Sequence, residues 1–303
     1  MNTGNIPVIE CVGKSLAEAW ELSVIKAWEM GTEIKTQYDK PSDPPSRDCT
    51  MIMVCNDPFA EPRLHRSFPG GFRDLEVYRQ EVVNGIHDSW IKPEEGKWTY
   101  TYHERLFKYR PATRGVFHNE VIPLANGIIV DSLLKNGERT NPIVPINQIQ
   151  FIIDSLAKTP YSRRSQAITY MPTYDQGTDD PPCLQRIWCR ILIDDSGVMW
   201  LNMNTNWRSR DAYKAAFMNM YALTDLQRFI AEGVSKKMGK EVKIGRYVDI
   251  SDSYHIYGSY FKDFEERFLK NYKERTFTDR VWDSDIANEE IKETREAIER
   301  REI

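Results

Sequence analysis

Residues 181–203, PPCLQRIWCRILIDDSGVMWLNM, decide how the chain folds. Two prolines stiffen the entry, and Gln185 to Ile193 then carries β-branched Ile187, Ile191 and Ile193, the pattern of a strand. Asp194 to Gly197 supplies turn chemistry, and Val198 to Met203 returns as a second strand, so the stretch predicts a β-hairpin. Downstream, Asp211 to Glu232 predicts a long helix with Tyr213, Phe217, Met220 and Tyr221 on its buried face, and Val242 to Ile250 another strand. Upstream, Ser15 and Glu18 form a capping-box pattern, and Leu16, Ala19, Trp20, Val24, Ala27 and Trp28 recur at helical spacing until Gly31. Residues 32 to 48, with Pro41, Pro44 and Pro45, read as a loop that leads through Arg47 into a buried strand at Thr50 to Cys55.

After an irregular stretch with Pro58, Pro62, Pro69, Gly70 and Gly71, Phe72 to Val83 predicts a helix that ends near Asn84-Gly85. An aromatic-dense stretch, Trp98 to Tyr109, follows. Ile146 to Ala157 predicts a further helix, after which Pro160 and Arg163-Arg164 open onto a strand at Ala167 to Met171. Interspersed strands and helices without internal repeats indicate an α/β (α+β) fold, a mixed sheet with packed helices. A single domain spans residues 1–284. Residues 285–303, with Lys292 and Glu296, Arg295 and Glu299, and Glu296 and Arg300 at i, i+4 spacing, read as a charged, solvated helical tail.

With 303 residues, 41% apolar and 12% aromatic, the chain can bury a large core. Its 41 basic and 45 acidic residues leave a formal charge of −4, so any anion site must be local. No basic leader precedes an apolar run in Met1 to Val12, and no stretch is long and apolar enough to cross a membrane, which predicts a cytoplasmic protein. Cys11, Cys49, Cys55, Cys183 and Cys189 lack metal spacing and read as reduced thiols. Gly13-Lys14-Ser15 is no phosphate loop, because position 8 is valine. His65, His87, His103, His118 and His255 are scattered, so no metal site is predicted.

A cysteine at a strand entrance is more often a small core residue than a nucleophile. Arg186 and Arg190 near Cys183, however, would favour its thiolate. Arg47, Arg163-Arg164 and Arg208 each stand at a loop or strand end, and a guanidinium fork matches a phosphate.

Four ordered segments resemble the signature segments of the thymidylate synthase and pyrimidine nucleotide hydroxymethylase superfamily. They are Ser162-Arg163-Arg164, Pro181-Pro182-Cys183, Arg208-Ser209-Arg210-Asp211 with Asn219, and Asp252-Ser253-Tyr254-His255-Ile256-Tyr257. Residues 160 to 260 carry the resemblance well. It implies a homodimer in which Arg163 and Arg164 cross to the partner's site and join Arg47 and Arg208 around the phosphate of a pyrimidine nucleoside monophosphate. By the same resemblance Cys183 adds to ring C6, making C5 attack the one-carbon unit of the co-substrate 5,10-methylenetetrahydrofolate, with no metal. Arg208 stabilises the thiolate and Ser209 adds a phosphate hydrogen bond. Asn219 reads the base edge, and His255 with Tyr257 binds the sugar. Asp211 faces the reduced folate, and Tyr102 organises proton removal from C5.

The sequence also departs from the family pattern. Leu184 stands where histidine follows the nucleophile, and Trp188 where a glutamine is usual. Counting seven residues back from Gly85 to the expected catalytic glutamate gives Tyr78, with Glu76 and Glu81 as neighbours. The apolar C-terminal tail that closes over the folate is replaced by Arg300-Arg301-Glu302-Ile303. A dry site favours a methyl product and admitted water a hydroxymethyl product. An amide at position 219 suits uracil. The leading expectation is therefore conversion of dUMP to dTMP, with (d)UMP or (d)CMP/CMP 5-hydroxymethylation next, and an inactive nucleotide- or RNA-binding relative last.

Overall fold

A computed structural model describes residues 4–110 and 145–303; His118 and the first three residues lie outside the described residues. The chain opens with β1 (Val8–Gly13) and α1 (Leu16–Met30), then β2 (Thr32–Ile34), β3 (Ser46–Cys55), β4 (Leu64–His65), α2 (Phe72–Asn84) and α3 (Tyr102–Phe107). Next come α4 (Gln148–Lys158), β5 (Gln166–Ile168), the single turn α5 (Pro172–Asp175), and the hairpin strands β6 (Leu184–Ile193) and β7 (Met199–Trp207). The chain continues through β8 (Arg210–Asp211), α6 (Ala216–Met238), β9 (Val242–Ile256), α7 (Phe261–Asp263), α8 (Lys270–Glu274), β10 (Val281–Trp282) and α9 (Asn288–Glu299).

One mixed sheet runs in the order β1-β3-β9-β7-β6-β5, with β2 added to β3 and β8 to β9. β1 with β3 and β7 with β9 are parallel, whereas β3 with β9 and β6 with β7 are antiparallel. Alternation decides the buried face: Met51 and Met53, Leu201 and Met203, and Ile187 and Cys189 point into the core. Packed there, α6 carries Phe217, Met220 and Tyr221 inward and meets α1, α2 and α4. This is the mixed α/β architecture the sequence predicts.

Local signals placed several elements well. The Ser15 hydroxyl accepts from the Glu18 amide at 3.4 Å to cap α1. Gly85, at φ 68°, closes α2 in the left-handed region, where a side chain would also collide with the His103 ring. Elsewhere pairing overrode the local reading. Residues 32 to 48 are not all loop, because β2 forms by pairing Glu33 with Arg47 at the start of β3. The strand expected to run from Ala167 to Met171 spans Gln166–Ile168 instead, three residues short of Met171. β9 runs on to Ile256 because β3 and β8 both pair with its far end. Asp211 does not begin the long helix: it belongs to β8, and its Oδ1 accepts from the Tyr213 and Lys214 amides, delaying the helix to Ala216.

The charged closing segment is helical but not free. Ile291 packs on the core, Thr294 is buried, and Arg295 Nε donates to Glu76 Oε1 of α2 at 2.7 Å. Among the described residues no helix is long and apolar enough to cross a membrane.

Candidate active site

The strand ends at one edge of the sheet surround a cleft of about 730 Å³. Cys183, Arg208, Ser209, Asp211, Asn219, Tyr102, His255 and Tyr257 all line it, although they are spread over 156 positions of chain from Tyr102 to Tyr257. The hairpin register brings the first two together: the Arg208 amide donates to the Cys183 carbonyl at 2.9 Å.

The Cys183 thiol is half-buried at the entrance to β6. Burial pushes its pKa up, Arg208 and Arg210 pull it down, and Asp180 pushes it up again, so the net direction is upward. Arg186 and Arg190 are not among the groups that move it. Being on β6, they alternate away from the buried face, so the thiolate support comes from residues 208 and 210 rather than from this strand. Cys11, Cys49, Cys55 and Cys189 are core thiols whose pKa burial pushes up to about 12. Leu184 is fully buried in the core, and the Trp188 indole donates to the Arg163 carbonyl at 3.0 Å.

The Arg208 guanidinium is held by its own loop: Nε donates to the Pro182 carbonyl at 3.2 Å, and Nη2 donates to the Pro181 carbonyl and to Asp180 Oδ1. Behind it Arg210, to which the sequence assigns no role although it lies within the Arg-Ser-Arg-Asp segment, is buried against Asp249 and stacks over Trp207 at 4.2 Å. Tyr102 Oη accepts from the Leu184 amide at 3.2 Å, one residue from the thiol. Burial raises its pKa far above the usual value, so it remains a neutral phenol.

On the opposite wall, Ser253 Oγ donates to Asp48 Oδ2 at 2.7 Å. Its single proton being committed, the 3.2 Å contact with His255 must be a donation from Nδ1–H. Burial pushes the imidazole pKa down to about 4, so it is neutral, and its buried Nε2 is left as an acceptor without a hydrogen-bond partner among the described residues. Tyr257 packs edge-on against this ring at 4.5 Å. Asp211 is raised to about 6 by burial, against the two amides that hold it.

Three predicted arginines lie elsewhere. Arg47 does not line the cleft; its Nη2 meets Glu33 at 3.0 Å and it lies over Trp28. Arg163 and Arg164 are exposed ahead of β5, at the edge of the sheet.

Of the three positions around the glutamate count, Tyr78 is the one that lines the cleft. α2 points Tyr78 into the cleft, where its Oη accepts from Asn219 Nδ2 at 2.7 Å. Glu76 faces the other way: burial raises its pKa, but hydrogen bonds from Arg79, Arg295 and Gln80 outweigh this and hold it low. Glu81, raised by burial and paired with His87 at 2.9 Å, lines a neighbouring cleft of about 700 Å³ together with Tyr78, Lys214, Met218 and the terminal Ile303. Among the described residues no group of three or more His, Cys, Asp or Glu could hold a metal ion.

A family model described as thymidylate synthase matches residues 77–299. Curated relatives assigned provisionally as thymidylate synthases include one from Methanosarcina barkeri, 31% identical over 80% of this chain and 87% of its own length. Another, from Methanocaldococcus jannaschii, is 26% identical over 86% of this chain and 95% of its own. The solved thermostable thymidylate synthase A from Bacillus subtilis shares the fold, with a TM-score of 0.52 at 16% identity over 84% of both chains. These matches define the class, a folate-dependent one-carbon transferase. The chain belongs to the thymidylate synthase family.

Proposed function

We propose that the protein converts dUMP to dTMP, placing on C5 a one-carbon unit supplied by methylenetetrahydrofolate. The observation that carries this reading is the sharing of one cleft by the Cys183 thiol, the Arg208–Ser209 pair and the Asn219 amide. As thiolate, Cys183 adds to C6 of the base and leaves C5 electron-rich. Asn219 offers an acceptor to N3–H and a donor to O4 of uracil. The sugar hydroxyl binds beside His255, whose buried Nε2 is an acceptor without a partner among the described residues, and the Tyr257 phenol lies next to that ring. The Tyr102 phenol, fixed next to Cys183, orients the water that takes the C5 proton. The nucleotide phosphate takes Arg208 over from Asp180, an exposed partner that yields readily. The neighbouring cleft, with the apolar Val77 and Met218, the basic Lys214 and Arg73, and Ile303 at its rim, fits a reduced folate, and Asp211 stands on the nucleotide side.

A second reading, 5-hydroxymethylation, is favoured by the polar rim of Lys35, Thr36, Gln37, Asp179 and Asp180, which admits water. Incubation with methylenetetrahydrofolate and each of dUMP, dCMP, UMP and CMP separates the two by product mass. We expect a methyl product and dihydrofolate from dUMP; a hydroxymethyl product with tetrahydrofolate establishes the second reading, and no turnover with any of the four refutes both.

The same reading makes the protein a homodimer. Arg163 and Arg164 stand exposed away from their own cleft, and the uncovered sheet face carries exposed Val8, Val12 and Ile168, an apolar surface suited to a second copy. Chains carrying Cys183→Ser and chains carrying Arg163→Ala with Arg164→Ala are each expected to be inactive alone. Mixed dimers regain turnover, because one cleft then has both the thiol and the partner's arginines; a mixture that stays dead shows that the arginines serve another purpose.

A further inference from the structure

We propose that the Tyr78–Asn219 pair lets this cleft bind cytosine nucleotides about as well as uracil nucleotides. The inference rests on the reading that the cleft holds a pyrimidine nucleotide, and it concerns what enters the cleft rather than which base reacts.

A carboxamide presents an acceptor oxygen on one side and a two-proton donor on the other. Turned one way, Asn219 accepts from N3–H and donates to O4, which is the complement of uracil. Rotated by half a turn, it donates to N3 and accepts from the N4 amine, which is the complement of cytosine. Whether both states are open depends on what holds the other end of the amide. In this protein that group is the Tyr78 hydroxyl, 2.7 Å from Asn219 Nδ2.

A hydroxyl both donates and accepts. With Nδ2 turned toward it, Tyr78 accepts; with Oδ1 turned toward it, Tyr78 donates. The amide therefore reverses without leaving a buried polar group unpaired, which is the event that would otherwise make one state costly. Asn219 is buried at 8% exposure, so water cannot freely replace a lost partner. Burial also pushes the phenol pKa far up, so its proton is present to be donated. An ionised carboxylate at position 78 would behave differently. It accepts only, and so would hold the amide nitrogen toward itself and fix the base edge in one pattern. Glu76 and Glu81 cannot impose that restriction, since neither lines the nucleotide cleft and each has other partners. Tyr102, the other phenol of this wall, is engaged by the Leu184 amide.

The test is equilibrium binding of dUMP and dCMP to the intact protein, followed by the same measurements on Tyr78→Phe and Asn219→Asp. For the unaltered protein the two dissociation constants are expected within about tenfold of each other, because both amide states keep their hydrogen bond. Tyr78→Phe removes the shared partner from both states and should weaken both nucleotides by a similar factor, about three- to tenfold. Asn219→Asp, now acceptor only, should shift preference toward dCMP by more than about tenfold. Tight dUMP binding with dCMP weaker by more than about tenfold overturns the proposal, as does a Tyr78→Phe loss confined to one base. Failure of all four nucleotides, dUMP, dCMP, UMP and CMP, to bind refutes instead the reading of the cleft itself, so the two failures are distinguishable.

Discussion

Replacing Cys183 by serine is expected to lower turnover by about four orders of magnitude or more, the scale on which loss of a covalent nucleophile is felt. A serine hydroxyl fits the same half-buried position, but it ionises far less readily than a thiol, so the addition to C6 fails while nucleotide binding through Arg208, Ser209 and Asn219 persists. The thiol can also be examined directly. With four cysteines buried in the core at pKa values pushed up to about 12, a small alkylating reagent should modify one residue per chain, Cys183. Thiolate is the reacting form and burial raises the Cys183 pKa, so the alkylation rate should climb by about tenfold per pH unit above neutrality until it levels at that raised value. Asp180 pushes in the same direction as burial, so Asp180→Asn should move the whole profile to lower pH. Retained turnover in Cys183→Ser, or a profile unmoved by Asp180→Asn, would place the reactive group or its charge environment elsewhere.

Arg210→Met should destabilise the fold by about 3–5 kcal/mol, the cost of removing one member of a buried ion pair. Arg210 is paired with Asp249, donates to the Ala216 carbonyl at 2.8 Å and stacks on Trp207. Methionine retains volume but leaves the Asp249 carboxylate with neutral side-chain donors alone, Tyr247 at 2.8 Å and Thr205, Trp207 and Ser251 at 3.1 Å. Neutral donors do not balance a buried charge. Denaturant unfolding of Arg210→Met against Arg210→Met with Asp249→Asn is the check. The double variant should recover part of the loss, whereas equal stabilities would mean that the carboxylate does not depend on Arg210.

Elements whose cause is local were legible in the sequence. Ser15 and Glu18 cap α1 through a contact three residues long, and Asp194 to Gly197 turns the hairpin by itself. β2 has no such cause. Thr32–Ile34 is extended because β3 lies beside it, and three residues are too few for β-branched Thr32 and Ile34 to announce that by themselves. The site divides along the same line. That Cys183 and Arg208 share a cleft was readable because hairpin register joins them, and that Asn219 joins them because Arg208 to Asn219 is one continuous segment. The position of Arg47 was not readable, because Glu33, a partner set by strand pairing, holds its guanidinium outside the cleft lining. The glutamate question was open in the sequence because a helix turns about 100° per residue, so positions 76, 78 and 81 face three directions and only the packing of α2 on α6 decides which one meets Asn219.

The order of strands in the sheet has a kinetic consequence. β9, residues 242–256, lies between β3 and β7, yet it follows both in the chain. Its register with β3 joins residues some 200 positions apart, and contacts of that span form late, after most of the loop-closure entropy has been spent. Until β9 arrives, β3 and β7 each present an open edge, and edges of this kind recruit other chains. Folding of this enzyme should therefore be most vulnerable to aggregation in the interval before residues 242–256 dock. The wall bearing His255 is completed in the same step that closes those edges.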